Sequence, residues 1–168
     1  MLIPTSVVTP AVAAEFTAAT AWADRNGLPS SFNAETLRCE VTMFGPDAAG
    51  IQDAERYMLV GELDSFPAIP PAWRFEHPIT GTRDASAYPV VPSPPFGSGL
   101  FTSGGPDGSL ICAPFNRLAY TDHQGIHGDW GAATTWRTPR PPYTSVTRVG
   151  DMLARIWREV LTSRGRAG

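Results

Sequence analysis

Apolar positions recur along this chain in two different periods. Near the start, Val12, Phe16, Ala19 and Ala23 fall at helical spacing with Trp22 beside them, the spacing of one buried helix face. Thr9 can cap that helix, Pro10 suits its first turn, and Gly27 followed by Leu28-Pro29 ends it. Near the end, Val149, Met152, Leu153, Ile156, Trp157, Val160 and Leu161 form a stripe, with Arg148, Arg155 and Arg158 elsewhere on the wheel. The stripe predicts an amphipathic helix of about four turns whose apolar side, Ile156 and Trp157 included, enters the core.

Between the helices the period changes to two. Leu37, Cys39, Val41 and Met43 alternate with Arg38, Glu40 and Thr42, the pattern of a half-buried strand with Cys39 on its apolar side. Arg56 to Leu63 reads as a second strand. Ala72 to His77 reads as a third, with Trp73 and Phe75 on one face and Arg74 and Glu76 on the other. Connections this short favour an antiparallel meander, so the fold class is α+β with helices on one side of a sheet. From Pro78 to Tyr143 the chain turns to Gly, Pro, Ser and Asp with short apolar islands. A long irregular stretch inside a compact domain is often functional.

Composition narrows the class. A chain of 168 residues, 42% of them hydrophobic and five of them Trp, is expected to be one domain, 1–168, with its own core. The net charge of -3 leaves no basic character for nucleic acid. No apolar run is long enough for a membrane span. The start has no positive n-region and is broken by Pro4 and Pro10, so it reads as mature protein. Two cysteines, Cys39 and Cys112, make no disulfide framework, and a cytoplasmic location with free thiols is expected. All thirteen basic residues are arginine. Codon usage in a GC-rich genome accounts for that, and so does a surface from which amines are excluded.

The chemistry gathers around G-S-L-I-C-A-P-F-N-R, Gly108 to Arg117. Cys112 is either a core thiol or a nucleophile, and a nucleophile needs access, thiolate character and help for the oxyanion it creates. Asn116 could aim a side-chain amide at an oxyanion. His127 and Asp129, in D-H-Q-G-I-H-G-D-W, could supply a base or an acidic steering group. His123 and His127 also form H-x3-H, to which Cys112 or Asp129 could add a zinc ligand, although Gly125 and Gly128 argue against the helix that this spacing favours. A cysteine hydrolase would place the thiol at a helix N-terminus, and Pro114 with the turn-like Asn116-Arg117 gives no helix start there.

The order of these pieces resembles a divergent bacterial form of the ubiquitin-conjugating (E2) fold. That family runs helix, four-stranded meander, Y-P-x-x-P-P, H-P-N, G-x-I-C-L with the catalytic cysteine, W-x-P and helix. Here Tyr88 to Pro95, Y-P-V-V-P-S-P-P, is similar to the first motif. Gly108 to Ala113, G-S-L-I-C-A, is similar to the cysteine motif with one extra residue. Thr135 to Pro139, T-W-R-T-P, is similar to W-x-P, and Thr147 to Ile156 to the helix that follows. H-P-N is absent: the loop before Cys112 reads F-T-S-G-G-P-D.

The resemblance implies a UBC-like α+β fold with an N-terminal helix, an antiparallel four-stranded meander, a long cysteine-bearing loop and a C-terminal amphipathic helix. It implies that Cys112 accepts a ubiquitin-like protein from an E1-like activating enzyme, holds it as a thioester and passes it to an amine, with no cofactor. Asn116 and His127 have no counterpart in the family's motif, and their roles rest on chemistry alone. A lysine-free chain would also be protected from modifying itself. The alternative is a catalytically inactive UBC-fold module that binds a ubiquitin-like protein or scaffolds a partner.

Overall fold

The computed structural model describes residues 9–92, 99–138 and 146–167. Ser93–Pro95 of the Tyr88 segment and Pro139 of the Trp136 segment lie outside them.

Helix α1 runs Pro10–Arg25. The Thr9 hydroxyl accepts a 3.3 Å hydrogen bond from the Val12 N–H, which satisfies one of the free donors of the first turn. At the other end Gly27 takes φ +66°. The Leu28 N–H reaches back to the Ala23 carbonyl at 2.9 Å and the Gly27 N–H to that of Asp24 at 3.1 Å. This is the Schellman closure, and Gly27 supplies its left-handed residue without strain. Val12, Phe16, Ala19 and Ala23 are buried.

Four strands follow, β1 Ser30–Asn33, β2 Arg38–Gly45, β3 Glu55–Glu62 and β4 Ala72–Glu76. They form one antiparallel sheet in chain order. Leu37 is not part of β2: it sits at φ +52° in the turn before it, although its side chain is still buried. Cys39, Val41 and Met43 face the core, as the alternation predicts. Gly61 pairs with Trp73 across β3 and β4. A Cβ there would stand 2.4 Å from the indole, so the missing side chain is what lets Trp73 lie against the strand. β4 differs from the two-faced strand expected, because Arg74 and Glu76 are buried as well. They are paired with each other at 3.0 Å, and Arg74 also reaches Glu62 at 2.8 Å while Arg38 reaches Glu76 at 3.0 Å. Buried charge of this kind persists only when it is paired and hydrogen-bonded.

The described residues of the 78–143 stretch are more ordered than their composition suggests. They contain a hairpin, β5 Phe101–Ser103 paired with β6 Ser109–Ile111. They also contain single-turn 3-10 helices at Ala85–Ala87, Arg117–Ala119, Thr121–His123 and Ala133–Thr135.

Helix α2, Val149–Leu161, packs on α1 and on β2. Val149, Met152, Leu153, Ile156 and Val160 are buried. Trp157 is only half-buried and Leu161 is exposed, which corrects the expectation that the whole stripe enters the core. The stripe is wider than the contact, and Trp157 sits at its rim. There its indole N–H donates to the Phe44 carbonyl at 3.4 Å and its ring meets Trp22 edge-on at 5.9 Å. No side chain of the preceding residue caps α2. Instead the Glu15 carboxylate, from α1, accepts from the Val149 N–H at 2.8 Å, a negative charge placed on the positive pole of the helix. Among the described residues no helix is long and apolar enough to cross a membrane.

Candidate functional site

Cys112 follows the last residue of β6. Its N–H donates to the Leu100 carbonyl at 2.6 Å, extending the hairpin by one bond, and the next N–H, of Ala113, turns back to Ile111 at 3.2 Å. The hairpin thus ends at the cysteine, and the thiol is half-buried rather than enclosed. Cys39 is fully buried on β2.

Asn116 is not available to an oxyanion at Cys112. It is wholly buried, and its side-chain amide donates to the Trp73 carbonyl at 3.0 Å and to the Ile111 carbonyl at 2.8 Å. Its oxygen accepts from the Trp73 N–H at 2.8 Å and the Leu118 N–H at 3.3 Å. Both amide hydrogens are used, and the side chain stands where a further strand's backbone would pair with β4. The asparagine proposed from chemistry as an oxyanion donor is therefore a tie between the sheet and the residue immediately before the cysteine.

His127 is brought to Cys112 by a closed loop. The His127 N–H donates to the Ala119 carbonyl at 2.9 Å and the Gly125 N–H to that of Tyr120 at 2.8 Å, with a parallel bridge between Tyr120 and His127. The turn needs Gln124 at φ +66°. It also needs Gly125, where a Cβ would lie 2.3 Å from the Leu118 carbonyl oxygen. Gly104, in the β5–β6 turn, makes room in the same way, since a Cβ there would press on the Ile126 side chain at 3.2 Å. The two glycines that argue against a helix in D-H-Q-G-I-H-G-D-W are consistent with the bend observed.

Within this loop the His127 Nε2 lies 2.5 Å from the Cys112 Sγ. The other ring nitrogen, Nδ1, faces the Asp129 carboxylate at 3.3 Å. The imidazole stacks flat on the Trp130 indole, with ring centroids 3.8 Å apart and planes within 2°. Trp130 was not among the residues singled out from sequence, although it lies three positions after His127 in the same motif. Asp129 is 77% exposed as a side chain, His127 22%, so the acid end of the chain of contacts is in solvent and the thiol end is not.

Burial pushes the Cys112 thiol up to about 11, and the negative charge of Asp129 acts in the same direction. At neutral pH the resting thiol is therefore protonated. A neutral imidazole fits between the two partners with Nδ1–H donating to Asp129 and Nε2 accepting from Sγ–H. That arrangement is one in which a histidine can take the proton as a sulfur attacks, instead of holding a preformed ion pair. Burial raises the Cys39 thiol further, to about 12, and no base is placed against it by the hydrogen bonds of β2.

His123 is not part of this arrangement. Its Nε2 faces Asp122 at 3.8 Å, and among the described residues no three His, Cys, Asp or Glu side chains converge to hold a metal ion. No family model, no curated protein and no solved structure matches this chain.

Proposed function

We propose that the protein is a thiol acyl carrier of the ubiquitin-conjugating type, which holds a ubiquitin-like protein as a thioester on Cys112 and passes it to an amine. The observation that carries this reading is the 2.5 Å contact between Cys112 Sγ and His127 Nε2, with Asp129 behind the histidine. It is supported by the frame around the contact, in which a helix, a four-stranded antiparallel meander, a cysteine at the end of a hairpin and a second helix follow in that order.

In the first step His127 Nε2 accepts the Cys112 proton while Sγ attacks the carbonyl carbon of an acyl group carried as a thioester by an activating enzyme. The new S–C bond forms, the old one breaks, and the proton leaves with the departing thiolate. In the second step an amine attacks the thioester, the S–C bond breaks, and the amine's proton returns to Cys112 through His127.

The test is loading. With its cognate activating enzyme, ATP and a ubiquitin-like protein, the chain gains one covalent adduct that thiol reductant removes. Cys112→Ser gives at most an adduct that resists reductant, because an oxyester replaces the thioester. Cys112→Ala gives none, and Cys39→Ala keeps it. Loading of Cys112→Ala, or purely non-covalent binding by the wild type, would replace this reading with that of a binding module. One observation favours that second reading: Asn116, the nearest side-chain amide in sequence, is fully used by the sheet, which leaves the oxyanion without the donor expected from it.

A further inference from the structure

The base of this site is held by an aromatic stack that closes a ring around the cysteine. Trp130, 5% exposed, lies face to face with His127 at 3.8 Å. On Trp130 rests Tyr120, edge-on at 5.5 Å and fully buried. The Tyr120 hydroxyl donates to the Pro114 carbonyl at 2.8 Å, two residues after Cys112. The path therefore runs from the thiol to the imidazole, to the indole, to the phenol, and back to the backbone that carries the thiol.

Flat stacking at this distance has an electrostatic consequence. The face of an indole is the negative part of its quadrupole. A cation within about 6 Å of the ring centroid is attracted to it, most strongly for Trp and when the pair is desolvated. Neutral imidazole gains little from that field, whereas imidazolium gains much more. Among the described residues, the titratable groups that face His127 are the Cys112 thiol, from the end of β6, and the Asp129 carboxylate, from its own loop. Tyr120, from the neighbouring turn, directs its hydroxyl to Pro114 instead. Asp129 is largely in solvent, where its charge is screened. The buried indole is then the more effective support for a charged ring.

We infer that Trp130 is the positioning residue of the Cys112–His127 pair: its indole face holds the imidazole in register with the thiol and favours the imidazolium that forms when Cys112 gives up its proton. This rests on Cys112 acting as a nucleophile with His127 as its base, and not on the identity of the acyl group.

Thiol alkylation by iodoacetamide, in a Cys39→Ala background so that only Cys112 reports, reads this from about pH 5.5 to about 12, past the ionisation of the Cys112 thiol. Trp130→Leu lowers the rate near pH 7 about tenfold, within what a desolvated cation–π contact supplies. The rate at the alkaline limit, where the thiol is ionised without help from a base, stays unchanged. Trp130→Phe keeps a π face and retains most of the neutral rate. A uniform fall at every pH, or no fall near pH 7, overturns the inference. Should Trp130→Leu not fold, the intrinsic fluorescence of the wild type decides. Protonation of His127 quenches the indole stacked on it, giving a titration that Trp130→Phe and His127→Gln both lack. Absence of that titration from the wild type overturns the inference as well. Neither arm needs a partner protein. Failure of thioester loading with the pH effect intact therefore rejects the conjugation reading alone, and loading without the pH effect rejects the role of Trp130 alone.

Discussion

Cys112 and His127 are separated by fifteen residues of chain, and their side chains meet at 2.5 Å. The contact is made by two loops that are each closed on themselves. One is the β5–β6 hairpin that ends at the cysteine. The other is the Ala119–His127 turn tied by Gly125 and His127. Because each loop is fixed by its own backbone hydrogen bonds, the pair is positioned before any ligand arrives, which is the condition for efficient proton transfer.

The two thiols should separate sharply in reactivity. A thiol raised to about 11 with no base beside it would be almost inert at pH 7, so any rapid alkylation of Cys112 is due to His127. In the native protein Cys112 reacts with iodoacetamide while Cys39, raised to about 12 and fully buried, does not. His127→Gln slows Cys112 at pH 7 by about a hundredfold, the lower part of the range for a positioned base. Asp129→Asn changes it by less than about threefold, because that carboxylate is exposed and screened. Equal rates for the two thiols, read by mass spectrometry of alkylated peptides, would remove the main support for Cys112 as the nucleophile.

Asn116→Ala should act on stability, not on the chemical step. It strands the N–H and carbonyl of Trp73 and the carbonyl of Ile111 in the core. An unsatisfied buried polar group costs about 1–3 kcal/mol, and neighbouring losses are not additive, so a total of about 3–5 kcal/mol is expected. Denaturant unfolding measures it. At a temperature where the variant is still folded, its discharge of a loaded acyl group to an amine matches the wild type. Unchanged stability with discharge slowed by about 10²–10³, the usual effect of deleting an oxyanion donor, would restore the catalytic role that the hydrogen bonds argue against.

Stability should fall at alkaline pH, and Cys39 should account for much of the fall. Its thiol is raised from 9.0 to about 12 in the folded protein. The folded state therefore keeps a proton that the unfolded chain has lost, and stability that is fully present below pH 9 is lost as the pH rises from there towards 12. The Cys112 thiol, raised to about 11, acts with the same sign above pH 9, and the phenols of Tyr57 and Tyr88, also raised by burial, do so above pH 10. Urea unfolding at pH 8, 9 and 10 follows the effect. Cys39→Ala lowers overall stability through the cavity it leaves, yet between pH 9 and 10 its stability declines less steeply, by about 1 kcal/mol per pH unit. An unchanged slope in that variant would mean that Cys39 is not buried as a neutral thiol.

What the chain determines by itself is what local periodicity can encode. The caps of α1 at Thr9 and Gly27, the apolar stripe of α2 and the alternation through Cys39, Val41 and Met43 are set by neighbours within a turn or a pleat, and they are found where the pattern puts them, except that α2 leaves Trp157 at its rim and Leu161 exposed. β1 has a single apolar residue in Ser-Ser-Phe-Asn, and β5 and β6 have three residues each. Segments that short carry no period, and only pairing with another strand makes them strands. The same separation holds at the site. Cysteine, histidine and aspartate could be picked out as reactive types, but whether His127 or Asn116 faced the thiol depended on which backbone groups the sheet left unpaired. The edge of β4 had a free N–H and C=O at Trp73, and an uncharged amide, which both donates and accepts, satisfies both. Asn116 went to the sheet for that reason, and Gly125 let the chain double back until His127, stacked on Trp130, stood against the sulfur.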